Sequence, residues 1–160
     1  MSDLTKLGKK AEGKISEWLT RPEEGCCLQR LYDKMSGWKG DNNPCDFLFY
    51  RRPFFYYIES KATYENRFDY SMLSDNQHDE MLKASQIDGV KGYVIVLFAT
   101  YKRAFIFNIQ DIDKEMQRGT KSKNITKIDK WEIPFIEIET IPSRKELLDY
   151  NPEQIEKIFS

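Results

Sequence analysis

The sequence predicts a mixed α/β domain, a central β-sheet flanked by helices, and three observations carry that expectation. Apolar residues recur at spacings of three and four near the N-terminus. Several runs rich in aromatic and β-branched residues follow, and helical signatures lie between and after them. At 160 residues the chain suits one domain, expected to span 1–160, and is long enough to bury a real core. Hydrophobic residues make up 40% of it and aromatic ones 14%, in keeping with a packed globule.

The elements follow in order. Leu4, Leu7, Ala11, Ile15, Trp18 and Leu19 line one face of a helix that Arg21-Pro22 should end, because the residue before a proline avoids the helical region. "CCLQRLYD" after Gly25 reads as a strand, although Leu28, Leu31, Tyr32 and Met35 also fit helical spacing. A polar link leads to "CDFLFYRRPFFYYIESKA", a β-hairpin around Arg51-Arg52-Pro53, and "ATYENRFDYSML" then reads as an irregular loop. Ser74 caps a helix reaching about Gln86, and Asp88-Gly89 stops it. "GYVIVLFA" is a buried strand, and the turn "TYKR" leads into a second one, "AFIFNI". A short helix over Gln110–Gln117 precedes the basic, polar loop "RGTKSKNITK". "WEIPFIEIET" should be an edge strand interrupted by Pro134. Ser143 and Glu146 form a capping box for a short helix, and Asn151-Pro152 start a last one.

Composition narrows the setting. No apolar run approaches the roughly 18 residues of a membrane span, and the N-terminus lacks a continuous apolar signal core. The three cysteines are an odd set with Cys26 and Cys27 adjacent, which offers neither a disulfide framework nor a metal-binding CxxC spacing. A reducing, cytoplasmic location is the simple expectation. The net charge of −1 neither establishes nor excludes a polyanionic partner. Residues 131–160 carry seven acidic and three basic side chains, whereas Lys114–Lys130 holds six basic and two acidic ones. Lys6, Lys9, Lys10 and Lys14 form a second basic cluster; solvated surface is the first reading of either.

Three charges sit at the mouth of the apolar hairpin: Asp46, Glu59 and Lys61. Proline cannot take the positive φ of a type I′ turn, so a four-residue loop from Arg51 to Phe54 is expected. That register pairs Tyr50 with Phe55, Leu48 with Tyr57 and Asp46 with Glu59, and strand alternation puts Asp46, Glu59 and Lys61 on one face. Two carboxylates about 5 Å apart repel by about 3 kcal/mol at an effective dielectric constant near 20, and Lys61 offsets only one of them. A divalent cation resolves the surplus, and Mg²⁺ suits two carboxylates plus waters. The plainer reading is a partly exposed ionic cluster of little energetic worth.

Glu59-Ser60-Lys61 facing an aspartate, after "PC" and behind a glutamate-bearing helix, resembles the PD-(D/E)xK nuclease superfamily; Cys45 intervenes between Pro44 and Asp46. Within it, "LGKKAEGKI", "CDFLFYRRPFFYYIESKAT", "FDYSMLSDNQHDEM", "GYVIVLF" and "AFIFNIQDI" resemble, in order, segments of RecU-type Holliday junction resolvases, from Gly8 to about Ile138. The interval between Glu12 and Pro44 is shorter than in bacterial members and more like the phage type. The resemblance implies a restriction-endonuclease-like fold and a Mg²⁺-dependent endonuclease, with Mn²⁺ as a substitute, that nicks four-way junctions symmetrically. It implies Asp46, Glu59 and the Ser60 carbonyl as metal ligands, Lys61 as the cation beside the scissile phosphate, and supporting roles for Glu12 and Gln77. It further implies a homodimer, because a four-way junction has two-fold symmetry.

Tyr64, Arg67 and Phe68, directly after the catalytic strand, are expected to contact DNA together with Lys9 and Lys10. His78, the sole histidine, is expected to be a bystander, and Cys45 a packing residue. Two other readings stay open: a nuclease of the same superfamily acting on other DNA, and a non-catalytic DNA-binding protein on the same fold. The intact Asp46, Glu59 and Lys61 speak against the second.

Overall fold

The computed structural model describes residues 1–20, 25–32, 43–141 and 149–160. Helix α1 (Asp3–Leu19) opens on Ser2, whose hydroxyl accepts the Thr5 N–H, and buries Leu7, Ala11, Ile15, Trp18 and Leu19. Strands β1 (Cys26–Arg30), β2 (Phe47–Arg51), β3 (Phe54–Thr63) and the short β4 (Arg67–Asp69) follow, then helix α2 (Asp75–Ala84). Next come β5 (Val90–Phe98), β6 (Arg103–Asn108), helix α3 (Ile109–Gln117), β7 (Ser122–Asn124), β8 (Ile136–Ile138), β9 (Thr140–Ile141), β10 (Asp149–Tyr150) and the one-turn helix α4 (Ile155–Ile158).

Six strands form the central sheet in the order β1-β2-β3-β5-β6-β8. Every pairing is antiparallel except β3 with β5, which run parallel through the crossover that contains α2. The expected class, a mixed sheet between helical layers, is therefore the one observed.

β5 sits centrally and is buried on both faces, which explains its unbroken apolar run. Tyr93, Ile95 and Leu97 join one core with α1 and the C-terminal segment, while Val94, Val96 and Phe98 join a second core with Met81 of α2 and Ile109 and Ile112 of α3. Phe159 is the hub of the first core, packing edge-on against Trp18, Phe49 and Tyr56. Lys14 of α1 is ion-paired to Asp149, and the Trp18 indole donates to the Asn151 carbonyl at 3.0 Å. The N-terminal basic cluster thus does not act as one patch, since Lys6 pairs with Asp3 and Lys14 with Asp149 and Glu17.

Three expectations change. The hairpin register is as expected, with Tyr50 opposite Phe55 and Leu48 opposite Tyr57, but Arg51 pairs directly with Phe54. Arg52-Pro53, joined by a cis peptide bond, makes the corner in two residues, the arrangement of a type VI turn. The segment after β3 is no irregular loop: β4 pairs antiparallel with β7, Phe68 opposite Lys123, and a 3₁₀ turn spans Tyr70–Met72. By the same pairing the basic segment after α3 becomes a strand, continued by a 3₁₀ segment over Ile125–Lys130. The expected helix end at Arg21-Pro22, the Asp33 and Met35 positions and the Ser143–Glu146 capping box lie outside the described residues.

Candidate active site

β3 delivers Glu59 and Lys61 to one face of the sheet. The parallel register sets them beside Val94 and Val96, on the sheet face that α2 and α3 pack against. The regular β2–β3 ladder runs from Arg51–Phe54 to Phe47–Ile58, the register that brings Asp46 to Glu59. Just past its end the Asp46 N–H donates to the Ile58 carbonyl at 3.1 Å, and the Asp46 carboxylate accepts the Ser60 N–H at 2.8 Å. The aspartate is thereby clamped against the β3 backbone between Glu59 and Lys61. Cys45, fully buried, donates its thiol to the Phe47 carbonyl and packs in the second core, as expected.

α2 completes the cluster. Ser74 caps the helix, and Gln77 returns the bond to the Ser74 N–H at 3.1 Å, a reciprocal capping box. The same Gln77 amide donates from Nε2 to Glu59 Oε1 at 2.7 Å and accepts from Lys61 Nζ at 3.2 Å. Lys61 Nζ also lies 2.8 Å from Glu59 Oε1. Oε1 is therefore contacted twice. Oε2 is buried and has no hydrogen-bond partner among the described residues.

Glu59 is only 1% exposed. Burial first, and then the negative charge of Asp46, push its carboxyl up from near 4.5 to about 8; Lys61 works in the opposite direction and does not win. A buried carboxylate oxygen without a hydrogen-bond partner, with a second carboxylate beside it, is stabilised by a cation. Among the described residues no three His, Cys, Asp or Glu side chains cluster closely enough to hold a metal by themselves. The donor set is instead two carboxylates with the Ser60 carbonyl nearby. That set fits Mg²⁺, which takes one or two carboxylates and keeps several waters.

A cleft of about 370 Å³ opens over these groups, lined by Asp46, Glu59, Ser60, Lys61 and Gln77 and, from α1, by Gly8, Lys9 and Glu12. Glu12 is ion-paired with Arg30 of β1, whose guanidinium also lies over the Phe47 ring at 5.9 Å. Arg30 carries no sequence signal, because its strand is short and its partner lies 18 residues away. Ser74 does carry one, the S-x-x-Q spacing ahead of a helix.

The other expected site residues separate. Lys9 and Lys10 are exposed on α1, and Lys9 lines the cleft. Tyr64 is 51% exposed just past β3, whereas Arg67 is exposed but paired with Asp69 at 2.9 Å. Phe68 corrects the expectation outright: it is fully buried, stacked on Phe107 and edge-on to Tyr70, and cannot meet a base. His78 lies between Asp79 and Asp113, at 3.0 and 3.1 Å, apart from the Asp46–Glu59–Lys61 cluster.

The family model of recombination protein U, RecU, matches residues 35–152, about three quarters of the chain. The chain belongs to the RecU family. The RecU match takes in Asp46, Glu59, Lys61 and Gln77, while Glu12 lies ahead of it. A solved structure of Archaeoglobus fulgidus Hjc, a Holliday junction resolvase from an archaeal hyperthermophile, is similar at 17% identity and a TM-score of 0.43. That similarity covers 67% of this chain and 78% of the archaeal one. No curated protein matches the chain. No described helix is long and apolar enough to cross a membrane.

Proposed function

We propose that this RecU-family chain is a Mg²⁺-dependent endonuclease that resolves Holliday junctions by paired symmetric nicks, working in the cytoplasm as a homodimer. The observation that carries the reading is the buried, unpartnered Glu59 Oε2 beside Asp46. Asp46, Glu59 and the Ser60 carbonyl hold the cation, and Mn²⁺ fits the same oxygen donors. When bound, the cation lowers the pKa of a coordinated water and polarises the scissile phosphate.

The remaining roles belong to the chain's own side chains. Lys61, fixed between Glu59 and Gln77, stabilises the negative charge that develops on the phosphate oxygens. Gln77 holds both partners in place, and Glu12, steadied by Arg30, orients water from the α1 side of the cleft. Tyr64, Lys9, Lys10 and Arg67 contact DNA around the cleft, Arg67 less strongly because Asp69 already engages it. The basic segment adds phosphate contacts. Lys114 and Lys123 are taken up by Asp111 and Glu115, while Arg118, Lys121, Lys127 and Lys130 are exposed. Two active sites related by a two-fold axis match the symmetry of the junction.

The test is cleavage of a labelled four-way junction and of a linear duplex of the same sequence, each with Mg²⁺ or EDTA. Paired symmetric nicks on the junction alone, with binding retained in EDTA, are expected. Equal cutting of the duplex would overturn resolution while leaving a nuclease. Cleavage undiminished in EDTA would overturn the metal site.

A further inference from the structure

We propose that the backbone N–H of Ser74 is the fixed point that orients the Gln77 amide, and through it decides which oxygen of Glu59 is left for the cation. This rests on the metal site proposed above.

The donors and acceptors leave one arrangement. Ser74 N–H and the Lys61 ammonium can only donate, and both meet the same Gln77 oxygen, at 3.1 and 3.2 Å. Gln77 Oε1 must therefore face them, which turns Nε2 toward Glu59 Oε1, 2.7 Å away. With Lys61 also on Oε1, that oxygen is occupied, and Oε2 is left buried without a hydrogen-bond partner among the described residues. A capping box accepts either glutamate or glutamine at its third helical position. Only glutamine serves here, because glutamate would set a further carboxylate against Glu59 where a donor is required. Ser74 is thus a positioning residue: it touches no reacting atom and acts through Gln77.

Proline and alanine at position 74, compared, isolate the single donor. Ser74 has φ −66° and Leu73 lies at φ −80°, ψ 126°, so proline at 74 fits both backbones while removing the N–H. Ser74→Ala keeps the N–H and loses only the hydroxyl that caps the Gln77 N–H. The experiment titrates Mn²⁺ into the DNA-free full chain by electron paramagnetic resonance, with thermal unfolding recorded for each variant.

Ser74→Pro and Gln77→Ala should each weaken Mn²⁺ binding by about tenfold, the size of losing a partner that orients a ligand. Ser74→Ala should weaken it by no more than about threefold, and Ser74→Pro should add no further loss in a Gln77→Ala background. Undiminished Mn²⁺ binding by Glu59→Gln would defeat the metal site itself. If Glu59→Gln loses binding, three results defeat the inference alone: a folded Ser74→Pro that binds as wild type does, equal losses in Ser74→Pro and Ser74→Ala, or a Ser74→Pro loss that persists without Gln77. Should Ser74→Pro not fold, hydrogen exchange at the Ser74 amide decides. Exchange about tenfold faster in Gln77→Ala than in wild type supports the inference, and equal rates overturn it.

Discussion

Glu59 and Glu115 are both buried carboxylates with a lysine and a neutral donor within reach, and they serve opposite ends. Glu115 on α3 is ion-paired with Lys123 of β7 and accepts the Tyr70 hydroxyl at 3.3 Å. One negative charge meets one positive charge, and the pair ties the β4–β7 ribbon to the helix. Glu59 has Lys61 and Gln77, but Asp46 beside it leaves a surplus of negative charge and an oxygen without a partner. A buried charge marks a site when its surroundings fail to close the account, and a strut when they close it.

The largest effects should separate the two clusters by kind. Asp46→Asn and Glu59→Gln remove metal-dependent cleavage, and Lys61→Ala lowers the rate by about 10²–10³, the cost of one preorganised charge-stabilising group. Single-turnover cleavage of a labelled junction measures all three, with junction binding retained. Lys123→Ala does the reverse. It strands Glu115 in the interior and costs about 3 kcal/mol or more in chemical denaturation, while the rate per folded molecule holds. Normal cleavage by Lys61→Ala would erase the distinction.

Next in size is a pH dependence that belongs to Glu59 alone. Its carboxyl is raised from near 4.5 when unfolded to about 8 when folded. The folded state therefore holds its proton more tightly. No stability is lost at or below about pH 4.5, where both states are protonated; the loss grows as pH rises and is complete above about 8. It reaches on the order of 5 kcal/mol at 1.36 kcal/mol per pH unit. Denaturation in EDTA across that window should show the decline, and Glu59→Gln should remove this part of it. Added Mg²⁺ should restore stability at pH 8. A Glu59→Gln variant with the wild-type slope would mean that the carboxylate is better solvated than its burial requires.

The contrast also explains what could be read in the sequence. Asp46, Glu59 and Lys61 were legible because one hairpin brings them together, and hairpin register follows from local pairing and alternation. The two-faced β5 and the amphipathic α1 are legible for a similar reason, because an unbroken apolar run in one and a spacing of three and four in the other are signals within a single element. The Glu115–Lys123 pair was hidden. Its residues sit in a basic stretch that reads as solvated surface, and its burial follows from β4 pairing with a strand more than fifty residues away. Arg30 was hidden likewise, since nothing local links it to Glu12. The turn at Arg52-Pro53 departs from the sequence expectation in length alone; both turn lengths give the same pairs, so the charges are aligned either way.

The smallest expected effect tests the surface next to the ribbon. Phe68 and Tyr64 are four residues apart in a stretch that reads as one aromatic, basic loop, and pairing of β4 with β7 sends them to different environments. A strand of three residues shows too little alternation to declare its buried position in advance. Phe68, between Tyr70 and Phe107, should cost about 3–5 kcal/mol of stability on truncation to alanine, with no separate effect on DNA. Tyr64 touches the core little: its backbone carbonyl accepts the Thr100 hydroxyl, a bond that survives truncation of its ring. Tyr64→Ala should leave stability within about 0.5 kcal/mol and weaken junction binding by about 1 kcal/mol, the lower end of what one base stacked on an aromatic ring contributes. Both are read from denaturation curves and from junction binding in EDTA at fixed salt, because phosphate contacts make affinity depend on ionic strength. If Tyr64→Ala binds the junction as wild type does, base stacking drops out of the interface and the exposed lysines and arginines carry it alone.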